Sequence, residues 1–278
     1  MALTLAQRNQ LRKRAAQEAA KTAPAALMDG LTSYELMLAK LQQDQLRLKQ
    51  VQSQQNKAKV KAEVLPDYVP YVDGVLAAGQ GAQDDVLLTI MVWRFDAGDF
   101  AGGLDIAEYV LRHNLQTPNR FNRTTGCLVA EEVAHAALTA QKAGDVFPHE
   151  ILTRTAVLTA EQDMPDEARA KLTLALARST LESLDDKNPG QPGQIQAGID
   201  LLKEAIKQHD SCGGKKDLER AERLLKKHAA PPVPPATSET PEPPAAPATT
   251  ETKKLPAARR ARSSRKPSNS RKTGNPAS

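Results

Sequence analysis

Aromatic residues are scarce: four Phe, four Tyr and one Trp make up 3% of the 278 residues. That argues against a β-sandwich or barrel, whose strands lean on aromatic and β-branched side chains. Cysteine is scarcer, with only Cys127 and Cys212. Two lone thiols fit a reducing compartment better than a disulfide framework, and they exclude a four-cysteine zinc site. The longest apolar run, Val86–Trp93, is interrupted by Thr89 and falls far short of the roughly 20 residues that cross a bilayer. The N-terminus MALTLAQRNQLRKR has no apolar core of a signal peptide, so neither secretion nor a membrane is expected. No GxxxxGK[ST], GxSxG, HExxH or paired CxxC occurs, which removes the usual ATPase, serine hydrolase and zinc protease routes.

Charge is present but unevenly placed. Residues 1–62 carry 11 Lys/Arg against 4 Asp/Glu, residues 63–228 carry 18 against 26, and residues 229–278 carry 9 against 3. An acidic middle therefore lies between two basic ends. Such ends suit a polyanion, nucleic acid first; on charge alone a solvated helix face and a solubilising tail fit as well. The ends also separate by composition, since 11 of the 19 prolines fall after residue 229. Residues 229–278 read as a disordered, Pro-rich basic tail, with an extended spacer at 231–249 and a cationic arm at 253–272. The arm holds Arg259, Arg260, Arg262, Arg265 and Lys266 with no aromatic among them. It can hold phosphates but cannot stack on bases.

Before residue 229 the pattern is helical throughout, and no stretch alternates as a strand. A first helix is expected at Leu3–Thr22, with Arg8, Arg12, Lys13, Arg14 and Lys21 as phosphate-contacting candidates. Thr32-Ser33-Tyr34-Glu35 matches a capping box for a second helix. Leu31, Tyr34, Leu38, Leu41 and Leu48 then form a stripe that would serve an oligomer seam or pack within the same chain. Past Val51 the glutamines and Lys57, Lys59 and Lys61 suggest a polar, basic helical extension. Pro66 and Pro70 mark an aromatic cluster, Tyr68 and Tyr71, after which a helix runs to Ala78. Residues 84–97 are apolar on most faces and should form the central buried helix. Further helices are expected at 100–113, 127–143, 149–160, 165–184, 194–209 and 215–227. GDFAGGLDIAEYVL (98–111) and GQIQAGIDLLKEAI (193–206) echo each other. Each has a glycine, an apolar residue two later and a second glycine at the fifth step, the spacing of tetratricopeptide second helices. The expected fold is all-α, with helical hairpins in a TPR-like irregular solenoid. Its divisions are a basic helical region at 1–62, a helical body at 63–228 and the tail.

Three function classes remain open from the residues. One is a DNA-binding adaptor using the α-helical and tail cations. The second is a metal-dependent endonuclease, for which Asp84, Asp85, Glu131 and Glu132 are the available ligands. Helix capping accounts for the aspartates, and the sequence shows no sheet of the kind that usually mounts two-metal ligands. The third is a helical-repeat protein scaffold without DNA binding. No metal site and no cofactor are expected; Mg2+ enters only if the chain itself cuts DNA.

Several segments resemble a known family. YELMLAKLQQDQLRLK (34–49), LPDYVPYVDGVLAAGQGAQDDVLLTIMVWRFDAGDFAGGLDIAEYVL (65–111), EEVAHAA (131–137) and DMPDEARAKL (163–172) resemble the small terminase subunit of peduovirus-type tailed bacteriophages, a family often labelled terminase endonuclease subunit. The resemblance spans roughly residues 27–227 and is most specific at 82–99. It implies a component of the DNA-packaging motor that binds concatemeric double-stranded phage DNA at the cohesive-end site. It implies a large ATPase subunit as partner, a staggered cut that starts and ends packaging, a homo-oligomer, and action in the bacterial host cytoplasm. No catalytic residue set carries over from it.

Overall fold

The structure is a computed structural model that describes residues 3–229 apart from 25, 29 and 118–122. The expected tail lies outside the described residues, with all five of its candidate cations. Among the described residues the chain forms ten helices and no strand: α1 Leu5–Lys21, α2 Thr32–Lys49, α3 Gln54–Ala78, α4 Asp85–Asp96, α5 Phe100–Arg112, α6 Thr125–Ala143, α7 His149–Leu158, α8 Asp166–Thr180, α9 Gln194–Gln208 and α10 Lys215–Ala229. One isolated backbone bridge joins Leu27 and Gln83. The helices that pack together extensively are neighbours or next neighbours along the chain, which is the signature of a solenoid. The compositional division between residues 62 and 63 falls inside α3, and α1 through α10 belong to one compact unit.

The centre is α4. Val86 through Trp93 and Phe95 are all buried, as its apolar faces require. Asp84 caps it, Oδ1 accepting from the Leu87 N–H at 2.9 Å. One hydrophobic core gathers residues from α1 to α8 around this helix, and a second lies among α8, α9 and α10 with Leu174, Ile199 and Leu202. The internal echo has a structural basis. Gly98 and Gly193 both take φ of +82°, a conformation that costs glycine little. At the fifth step, a side chain on Gly103 would lie 2.5 Å from Phe95 and one on Gly198 2.5 Å from Leu181. In both hairpins the missing side chain lets the second helix close onto a residue of the first arm or its end.

Two local expectations change, and one open alternative is decided. The capping box at 32–35 does not form: Leu31 occupies the cap position without a side-chain bond. Glu35 Oε1 instead accepts from the Gly30 N–H at 2.9 Å, and Ser33 is drawn to Glu18. The stripe Leu31, Tyr34, Leu38, Leu41 and Leu48 packs within the chain, since Tyr34, Leu41 and Leu48 are buried and Leu31 and Leu38 lean on the same core. Pro66 and Pro70 stand inside α3 rather than before it. Pro70 has no N–H to give the Pro66 carbonyl four residues back. The Arg8 guanidinium of α1 fills that vacancy, donating to Pro66 O at 3.1 Å.

α1 therefore runs beside α3, and in parallel, because Arg8 meets Pro66 while Arg12, Ala15 and Ala16 meet Gly74. The closest crossing is at Gly74, where a Cβ would sit 2.4 Å from the Arg12 carbonyl oxygen and 2.9 Å from Ala15 Cβ. Alanine has the better helix propensity by about 1 kcal/mol, yet the clash is with backbone, and overpacking of this kind costs about 1–3 kcal/mol. Gly74→Ala should therefore lower stability by up to about 2 kcal/mol, read as an earlier urea midpoint at unchanged slope. An unchanged or later midpoint would mean that α1 is not seated as described.

Candidate nucleic-acid interface

α1 begins with a neutral capping box. Thr4 Oγ1 accepts from the Gln7 N–H at 3.3 Å, and Gln7 Oε1 accepts from the Thr4 N–H at 2.9 Å. A glutamine here satisfies the helix end without adding the negative charge a glutamate would bring. Leu11, Ala15 and Ala19 form the buried stripe that seats the helix. The helix has one acid, Glu18, and its carboxylate turns inward to accept from the Ser33 N–H at 3.0 Å and from the Ser33 hydroxyl. The outward surface of α1 is left with cations only.

All five candidates on α1 are exposed. Arg12, Lys13, Arg14 and Lys21 have no carboxylate within 4.0 Å among the described residues; Arg8 has none either, but spends one nitrogen on Pro66. Arg14 and Lys21, seven residues apart, share a face. Most body cations near the helix crossings are otherwise engaged: Lys40 with Asp44 and Asp67, Arg47 with Glu63, Arg94 with Asp99, Arg154 with Asp105 and Glu108, and Arg178 with Asp217. The basic extension seen in the sequence divides in the same way. Lys61 is tied to Asp96, while Lys49, Lys57 and Lys59 near the α2–α3 turn have no carboxylate within reach among the described residues. Unpaired, exposed cations are the groups that release counterions when a phosphate chain docks.

The four carboxylates considered as metal ligands do not come together. Asp84 is fully buried, with Oδ1 on the Leu87 N–H and Oδ2 accepting from the Tyr71 hydroxyl at 2.6 Å. Asp85 accepts from Gln83 Nε2 at 3.5 Å, and Glu131 pairs with Arg123. Glu132 has its carboxyl pushed up by burial and by Asp96. Among the described residues no three His, Cys, Asp or Glu side chains are grouped to hold a metal ion.

These features define a protein that is all-helical among its described residues, with a cationic outer helix and the four considered carboxylates dispersed. The chain belongs to the phage small terminase subunit family: the model of that family matches residues 38–167. A curated relative, "Terminase, endonuclease subunit" of Escherichia phage P2, is 43% identical over 232 residues, covering 84% of this chain and 90% of the relative. No solved structure matches. Among the described residues no helix is long and apolar enough to cross a membrane.

Sequence reasoning found the α1 cations from their spacing. It missed a second basic face on α10, which the acidic total of residues 63–228 conceals. The signal was available as Leu218, Ala221, Leu224 and Leu225 at helical spacing, with Lys and Arg on the opposite side.

Burial pushes the Asp84 carboxyl up from 3.8 to about 6, against the lowering effect of its hydrogen bonds. The folded state then holds this proton more tightly than the unfolded chain. Its ionisation costs stability progressively as pH rises from about 4 to about 6, by roughly 3 kcal/mol in full. Asp84→Asn keeps a carbonyl oxygen for the Leu87 N–H and removes the charge. The difference in unfolding free energy between variant and parent should change with pH across 4–6 and level off above. A constant difference across that window would show that Asp84 does not titrate there.

Proposed function

We propose that this chain binds concatemeric double-stranded phage DNA through the exposed cations of α1. It presents the cohesive-end site to the large ATPase subunit and directs the cut that starts and ends packaging, in the bacterial host cytoplasm. The observation that supports this most is the outward surface of α1, on which every charge is positive and the one acid is turned inward. Phosphates rather than base edges are the groups this surface suits.

The endonuclease label of the phage P2 relative favours a second reading, in which the chain cuts DNA itself. The dispersal of Asp84, Asp85, Glu131 and Glu132 supports the first reading, with cleavage belonging to the complex. Purified chain with Mg2+ should leave cohesive-end DNA intact, and addition of the large subunit should produce the staggered cut. Nicking by the chain alone, lost in Asp84→Asn with Asp85→Asn, would establish the second reading.

We place the homo-oligomer seam on a face of α2 other than the stripe Leu31, Tyr34, Leu38, Leu41 and Leu48. Leu36, Ala39, Gln43 and Leu46 are exposed on α2 at alternating three and four spacing, with Leu36 at 56% and Leu46 at 60% exposure. That is the stripe a second copy of the same helix would cover. Leu36→Glu with Leu46→Glu should reduce the mass in light scattering to that of one chain; an unchanged oligomer would place the seam elsewhere.

DNA binding itself is tested by salt titration. Replacing Arg12, Lys13, Arg14 and Lys21 with Gln should flatten the log–log salt dependence by about 3 to 4, at about 0.9 per phosphate contact. An unaltered slope would remove α1 from the interface, and absence of binding by the parent, with or without residues 229–278, would leave the scaffold reading.

A further inference from the structure

α10 is strongly two-faced. Ala221 and Leu224 are buried against the second core, while Lys216, Arg220 and Arg223 are exposed. Between α10 and the loop following α8 runs a groove of about 980 Å3, floored by Leu184 and Leu224. Five cations line it, Lys187, Lys216, Arg220, Arg223 and Lys227, against Asp185, Asp186 and Asp217. Each of the three acids has its own partner. Asp217 accepts from Arg178 Nε at 2.8 Å, and Asp186 is paired with Lys227. Asp185 accepts from the backbone N–H groups of Lys187 at 2.7 Å and Asn188 at 2.8 Å. Lys187, Lys216, Arg220 and Arg223 are left without a carboxylate within 4.0 Å among the described residues.

The spacing points to the kind of ligand. Lys216, Arg220 and Arg223 lie four and three residues apart on one helix face, so they step along the axis by about 6 and 4.5 Å. Each step spans between one and two of the rises, about 3.4 Å each, that separate phosphates along a DNA strand. No aromatic or methionine side chain lines the groove, whereas a protein interface normally offers such anchors at its centre. Further along the sequence, beyond residues 229–252 with their three Glu and no Lys or Arg, nine more cations follow at 253–272.

We propose that the groove beside α10 is a second binding site for the DNA phosphate backbone, formed independently of α1. α1 packs with α2 and α3, and α10 with α9, so the two cationic surfaces belong to different parts of the helical array. This inference rests on the reading that the chain binds DNA, and the test separates the two. Full-length protein carrying Lys216→Gln, Arg220→Gln and Arg223→Gln is titrated with salt against cohesive-end duplex by fluorescence anisotropy, beside the four-residue α1 variant. The groove variant should lose about 2 to 3 in salt slope, and combining it with the α1 changes should lower the slope further. Arg220→Lys with Arg223→Lys should keep the parent slope, and melting temperature should not move in either groove variant. Unchanged affinity and slope in the groove variant, beside a loss in the α1 variant, overturns the groove and leaves the DNA reading standing. No binding by the parent overturns both. A groove variant that keeps its DNA affinity but no longer captures purified large subunit overturns the proposal in favour of an acidic protein partner.

Discussion

Tyr71 places its hydroxyl 2.6 Å from Asp84 Oδ2, in a site where neither side chain meets solvent. Through that bond α3 is fastened to the first turn of α4, the helix around which the main core forms. Tyr68 repeats the arrangement one turn earlier: its hydroxyl lies 2.7 Å from Asp44 Oδ2 of α2 and its ring meets Trp93 of α4 edge-on at 6.3 Å. Tyr109 of α5 completes the set by accepting from the Gly81 N–H at 2.9 Å. Burial raises all three phenols above their ordinary range, so they stay protonated at any working pH, and Tyr68 and Tyr71 remain donors to their carboxylates. A buried polar group left unpaired costs about 1–3 kcal/mol. Sliding α3 along α4 would therefore break several such pairs together, and the tyrosines set the register of a core whose aliphatic contacts alone would tolerate more than one.

Charge follows the same economy. Where helices cross in the body, opposite charges meet: Arg154 of α7 joins Asp105 and Glu108 of α5, and Arg178 of α8 joins Asp217 of α10. Half-exposed pairs of this kind contribute little to stability, but they remove charge from the surface. Among the described residues, most cations without a carboxylate partner lie on α1, at the α2–α3 turn and on α10. A molecule that must hold a phosphate polymer and still release it is served by cations that no internal partner claims.

Much of the helix order was legible because periodicity and caps report local physics. Asp84, Asp99 and Thr124 each accept from a backbone N–H three residues on, and the acids at 166 and 167 open α8. The failures occurred where a distant residue decides the outcome. Pro66 and Pro70 look like helix breakers until Arg8, 58 residues away, supplies the donor that Pro70 lacks. Thr32 and Glu35 look like a capping box until Leu31 takes the cap position and Glu35 turns to the Gly30 N–H, while Glu18 holds Ser33. The leucine stripe of α2 has the period of a coiled coil, and period alone does not say whether the covering helix comes from the same chain. Here α3 and α4 cover it, leaving Leu36 and Leu46 outward.

The candidate sites show why the window of reading matters. Summed over 63–228, charge is negative and α10 disappears into the total. Taken over four turns of helix, the same residues separate into an apolar face and a cationic one, because 3.6 residues per turn, not segment length, decides which side chains are neighbours. Arg8 carries the converse lesson. By sequence it is one more cation of α1, yet its guanidinium also satisfies the Pro66 carbonyl. Removing it would loosen the α1–α3 contact as well as the proposed phosphate surface, whereas Arg14 and Lys21 are exposed and have no carboxylate within 4.0 Å among the described residues. Binding and folding are therefore separable at α1 only through the residues that have no second task.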